Sequence, residues 1–151
     1  MTHSATQIVT LSLAGRALGI DVMQVQDVIR LGTVTPVPRA APWIAGVMNL
    51  RGHIVTAIDL RARLGLPPTI GERSMCVVVS LDGEAHGLIV DAVGEVLAVS
   101  EADREPDPPT LPAHWRAVSR GIVRREEDLI LELDAAALLS GCPDAQIVAA
   151  A

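Results

Sequence analysis

Apolar residues along this chain follow a period of two, interrupted by turn residues at regular places. Val9, Leu11 and Leu13 alternate with polar or small residues, Ala14-Gly15-Arg16 turns the chain, and Leu18, Ile20 and Val22 alternate again. Strict alternation places one face of a strand in a core, so this stretch predicts a hairpin. The pattern then recurs. Residues 11–28 lie without gaps over 79–96, where Ser12, Leu13, Gly15, Ala17, Gly19, Val22, Val25 and Val28 meet identical residues and Asp27 meets Glu95. A second block follows in the same order: Gly46-Val47-Met48 matches Gly121-Ile122-Val123, and each glycine precedes an aspartate by thirteen residues, Asp59 or Asp134.

Each copy reads as strand, turn, strand, loop, strand, turn, strand, short helix. In the second copy the first turn is Asp82-Gly83, residues that accept the positive φ angles of tight hairpins. The closing hairpins run through Val47–Leu50 and Ile54–Ile58, and through Ile122–Arg124 and Leu129–Leu133. Asp59 and Asp134 stand where a carboxylate caps the free amides of a short helix. A linker at 67–73 separates the copies, and the second carries an acidic, proline-rich loop from Glu101 to Pro112 with a net insertion of seven residues. The expected organisation is a single domain over 7–142 made of two pseudo-repeats, about 7–66 and 75–142, with a tail at 143–151. Strands this short, closing on themselves, predict a mainly β fold of two small barrels side by side, since one alone encloses too little interior. A groove between them is the expected binding site.

Composition narrows the function. Half of the 151 residues are apolar, yet there is no Phe or Tyr, and Trp43 and Trp115 are the only aromatic residues, so aliphatic side chains must fill the core. All twelve basic residues are arginines, outweighed by eighteen acids to a net charge of −6. That balance repels a phosphate backbone and offers no stacking platforms for bases, which argues against nucleic acid as a partner. Cys76, inside an apolar run, and the distant Cys142 read as reduced thiols. With neither a signal peptide nor an apolar run of about 18 residues, the chain is expected to be cytoplasmic, without direct membrane insertion.

No catalytic constellation emerges. The absence of lysine removes P-loop and Schiff-base chemistry, and His3, His53, His86 and His114 lack metal-ligand spacing. No metal or cofactor is expected, and a hydrolase would need a nucleophile and base that cannot be assembled. The repeat supplies an internal control instead. Asn49-Leu50-Arg51-Gly52-His53 lies opposite Arg124-Arg125-Glu126-Glu127-Asp128, so an ordinary polar turn suffices to join these strands. A tight turn explains Gly52 but not Arg51, whose guanidinium is a rigid fork of donors suited to carboxylates or carbonyls of another chain.

The block Gly46–Arg61 around Asn49-Leu50-Arg51-Gly52, preceded by Val25-Gln26-Asp27-Val28 and followed by Gly87–Val93, resembles the CheW family of chemotaxis coupling proteins, from about Ile8 to Leu139. The resemblance implies two five-stranded, SH3-like barrels with short helices, one of them near the C-terminus. It also implies a non-catalytic adaptor that joins the cytoplasmic tips of methyl-accepting chemoreceptors to the CheW-like regulatory domain of the histidine kinase CheA, and so is recruited to membrane-bound receptor arrays. Carried over, the receptor-binding groove would use Val25, Val28, Asn49, Arg51, Val93 and Val96. Kinase contacts would fall at Asp27, Ala45 and Gly46, where a small residue admits another barrel. Thr56 stands where the family usually has proline, and the first strands lack the family's usual aromatic residues. An adaptor of a parallel pathway, such as twitching motility, fits the same resemblance. A fragment of CheA or CheV is less expected, since the chain begins and ends close to the module.

Overall fold

The β1 (Thr6–Leu13) and β2 (Arg16–Asp21) hairpin forms where the alternation places it. The computed structural model describes residues 6–67, 74–126 and 128–140. Cys142, the tail at 143–151, Glu127 and the linker beyond Pro67 lie outside the described residues. After the first hairpin come β3 (Val25–Arg30), β4 (Ile44–Leu50), β5 (His53–Asp59) and helix α1 (Leu60–Arg63). The second half repeats this order with β6 (Met75–Leu81), β7 (Glu84–Val90), β8 (Ala92–Val99), β9 (Arg104–Glu105), α2 (Ala113–Arg116), β10 (Ser119–Arg125), β11 (Asp128–Leu133) and α3 (Ala135–Leu138).

These strands build two sheets, ordered β8-β1-β2-β11-β10-β9 and β3-β6-β7-β5-β4. The fold is the expected pair of small barrels, one enlarged to six strands by the two-residue β9. Neither barrel is one half of the chain. The six-stranded barrel takes its first hairpin, β1 and β2, from the first half and everything else from the second; the five-stranded barrel does the reverse. Matched strands pair in matched register: Leu18 lies beside Leu131 in the parallel pair β2/β11, and His86 lies beside Thr56 in β7/β5. The halves have exchanged hairpins.

The third strand of each half, β3 or β8, is the element that alternation did not reveal. Its pairing shifts register between Val25 and Asp27, and the β1/β8 ladder shifts between Val9 and Leu11. In β8 the bulge breaks the period of two, leaving Gly94, Glu95 and Val96 exposed in succession, whereas β3 keeps alternating burial but turns Asp27 inward and Val28 outward.

Packing explains the near-continuous apolar runs. Cys76 and Val78 turn into the five-stranded barrel with Met48, Val55, Ala57 and Ile89. Val77 and Val79 face the other way, joining Leu88 and Val90 against Leu11, Leu13, Leu18 and Ile20 of the six-stranded barrel. The central strands are buried on both faces, so one core cluster belongs to both barrels and locks them together. Burial and the nearby Asp27 charge push the Cys76 thiol up to about 12, so it stays protonated at neutral pH.

Candidate partner-binding site

The hairpin between β4 and β5 turns through two residues, Arg51 at φ 51° and Gly52 at φ 87°. Both angles are positive, as a two-residue turn matched to strand twist demands. Asn49 accepts a hydrogen bond at Oδ1 from the Gly52 amide at 3.0 Å, which closes the turn. Glycine or asparagine is cheapest where Arg51 stands, and a larger L-residue there costs about 1–2 kcal/mol. The Arg51 side chain is 77% exposed, and its Nη2 lies 2.8 Å from Asp27 Oδ2. Asp27 also accepts from the Val28 amide at 2.9 Å.

The position of this ion pair matters. Strands β3 and β4 are the two edges of the five-stranded sheet, and Arg51–Asp27 reaches from the hairpin beside one edge to the other. A single backbone bridge, Thr35 to Val47, tethers the loop after β3 to β4. Expected receptor contact Arg51 and expected kinase contact Asp27 are therefore neighbours on one seam.

The valines divide into two kinds. Val25 and Val93 are half-buried against the core shared by the barrels, whereas Val28 and Val96 are 36% and 51% exposed. Val93 also lines a shallow concavity with Leu11, Ala92, Gly94 and Ala17. Ile54 and Leu129 are likewise exposed, and they are themselves a matched pair in the repeat. Apart from Met23, every large apolar residue exposed among the described residues belongs to one of these two matched pairs.

Ala45 is half-buried against the interior of the five-stranded barrel. Gly46 is buried, at φ 151°, and a Cβ there would stand 2.1 Å from the Thr35 carbonyl oxygen. The small residue lets the chain's own loop approach closely. Gly121 repeats the arrangement at φ 119°, with its Cβ position 3.1 Å from the Glu105 oxygen. Asp59 accepts from the Arg61 and Ala62 amides at 3.1 and 3.4 Å, and Asp134 from Ala136 and Ala137 at 3.0 and 3.3 Å. Both cap their helices.

Several charged contacts were not foreseen. Arg61 grips Asp91 with two hydrogen bonds, Nε to Oδ1 at 2.9 Å and Nη2 to Oδ2 at 2.6 Å, while the Ala14 amide donates to the same carboxylate at 2.8 Å. The Arg61 donors hold the Asp91 carboxyl below the usual carboxylate range, with Ala14 adding to the effect. Asp91 thus joins α1, the first hairpin and the start of β8. Glu132 is fully buried and pairs with Arg104, with Arg120 3.8 Å away. A glutamate between Leu131 and Leu133 reads as an outward position; only the shared core shows that both faces of β11 are covered. Among the described residues, no group of three His, Cys, Asp or Glu could hold a metal ion.

The family model for the CheW-like domain matches residues 7–142. The chain belongs to the CheW family. This CheW-like domain is 30% identical to the chemotaxis protein CheW of Rhizobium meliloti over 89% of the chain and 88% of the relative. It is 31% identical to that of Bacillus subtilis, over 88% and 86%. FrzA of Myxococcus xanthus is 32% identical over 60% of the chain and 58% of its own length. Among solved structures, the scaffolding protein TtCheW of Thermoanaerobacter tengcongensis superposes with a TM-score of 0.78 at 34% identity, covering 85% of this chain and 88% of that one. The exchanged-hairpin pair of barrels is therefore the fold of a scaffold family.

Proposed function

We propose that this CheW-like domain is a non-catalytic adaptor that couples methyl-accepting chemoreceptors to the histidine kinase CheA. The observation that carries the reading is a solvent-facing arginine on a strained turn, in a family member matched over 7–142. A hairpin needs no arginine there, as the Glu126 turn of the second half shows, so its presence points to a partner. The receptor helix would pack on Val25, Val28, Val93 and Val96, where matched strands of the two barrels bring apolar side chains to the surface or the shared core. Arg51, steadied by Asn49 and Asp27, would fix its docking. Kinase contacts would centre on Asp27 and the Ala45 side of β4. Gly46 would act by letting the Thr35 loop close rather than by touching the kinase. The adaptor would work in the cytoplasm and be recruited to receptor arrays; among the described residues, no helix is long and apolar enough to cross a membrane.

A second reading, an adaptor of a parallel pathway such as twitching motility, fits the same family membership. Pull-down from the native cell separates the two by the kinase and receptors recovered. Reconstitution with CheA and a receptor fragment tests the adaptor itself. Arg51→Glu should abolish receptor-dependent kinase activation while leaving the fold intact. Full activation by that variant removes the role given to Arg51, and wild-type protein that binds neither partner sinks the adaptor reading.

A further inference from the structure

We propose that Arg125 is a positioning residue for β8, holding Val93 and Val96 in place as the counterpart, in the six-stranded barrel, of Arg51 in the five-stranded one. The inference rests on the receptor-groove reading of those valines and adds a residue that the groove itself does not contain. Strand β8 is an edge strand, matched in the repeat with β3. Its outward carbonyls lack a neighbouring strand, and one of them, Ala98 O, accepts a hydrogen bond from Arg125 Nη1 at 2.6 Å. Ala98 stands two residues beyond Val96, on the same face by strand alternation. Arg125 ends β10, so the contact crosses the barrel seam from the hairpin to the edge strand, the route that Arg51 takes to Asp27.

The repeat shows that the turn does not demand this arginine. Arg125 occupies the position of Leu50, which packs half-buried inside the five-stranded barrel. One barrel therefore places leucine then arginine at its hairpin tip, and the other arginine then Glu126. Both send a guanidinium to the edge that bears an exposed valine. The rest of β8 is pinned as well. Asp91 anchors its start through Arg61 and Ala14, and Thr10 Oγ1 donates to the Glu95 carbonyl at 2.6 Å across the bulge. Arg125 supplies the third anchor, beyond Val96. Its charge also helps to hold the Asp103 carboxyl low, after the Ser100 amide and hydroxyl, in the turn that follows β8.

The test uses the full chain with a receptor cytoplasmic fragment and, separately, CheA. Arg125→Met keeps the stem and removes the donors; it should weaken receptor binding about fivefold, the equivalent of one lost hydrogen bond. Kinase affinity should stay unchanged, and Arg125→Lys should restore most of the receptor affinity. A merely structural arginine would lower both affinities together, and that result overturns the proposal, as does wild-type receptor binding by Arg125→Met. Val96→Glu distinguishes the two levels. If it leaves receptor binding intact, the groove reading fails and the role of Arg125 with it. If Val96→Glu weakens binding and Arg125→Met does not, the positioning role alone fails.

Discussion

The two closing hairpins, β4–β5 and β10–β11, share a backbone and differ in what they present. Arg51 and Glu126 occupy the same turn position at φ 51° and 54°, and the bulge glycines Gly46 and Gly121 both yield to a carbonyl from earlier in the same half, Thr35 in a loop and Glu105 in β9. Beyond that, the first tip carries an asparagine that closes its own turn and an arginine left in solvent with one ion pair. The second spends its arginines internally: Arg124 on Glu105 and Arg125 on Ala98. Backbone geometry is thus common property, set by barrel closure, whereas the side chains are free to serve either closure or a partner. A duplicated fold allows the two to be told apart within one chain.

The largest expected break in this likeness is at the bulge glycines. Gly46→Ala should cost about 3–4 kcal/mol, since the clash is with backbone and the φ is unfavourable. Gly121→Ala should cost about 1–2 kcal/mol, because its neighbour must give only slightly. Urea denaturation of both variants measures the gap, and equal losses would mean that the Thr35 loop is not rigid. Next comes Glu132, whose matched residue is Ala57. Glu132→Ala should cost about 2–3 kcal/mol by stranding Arg104, and adding Arg104→Met should recover most of it. A double variant no better than the single would show that the glutamate contributes through something other than its charge partner.

The pH dependence sharpens the comparison at the barrel junction, where Asp91 has only Met23 as its counterpart. Because Arg61 depresses the Asp91 pKa in the folded state, the contribution of that carboxylate is fully present above the unfolded value of about 3.9. It is lost as pH falls through the folded value. Wild-type protein should therefore exceed Asp91→Asn in melting temperature at neutral pH, and the difference should shrink below about pH 4. A constant gap down to pH 2 would exclude titration of Asp91 as its source. The smallest effect is expected at Arg51→Asn, which relieves a strained turn while losing an exposed ion pair, a net change within about 0.5 kcal/mol. Stability should hardly move while receptor-dependent activation falls, and chemical denaturation beside a kinase assay reads both.

Much of the fold is legible in the repeat because a buried strand face imposes its period directly on the residues that form it. Alternation at Leu11, Leu13, Leu18 and Ile20 marked the first hairpin, the Asp59 and Asp134 caps marked the helices, and Asn49-Leu50-Arg51-Gly52 stood out against its own matched segment. Strand β8 escaped because a bulge erases its period, β3 because its inward positions include Asp27 while Val28 faces out, and Glu132 because its strand is covered on both sides. The sequence alone determined that the chain holds two similar β units and that Arg51 exceeds what a turn requires, since both follow from local backbone rules and from comparison within the chain. Only the tertiary structure decided that each barrel is assembled from both halves, that Gly46 yields to the chain's own loop, and that Asp27 and Arg51 share a seam. These depend on which strands become neighbours, and pairing between distant segments leaves no periodic trace in either one.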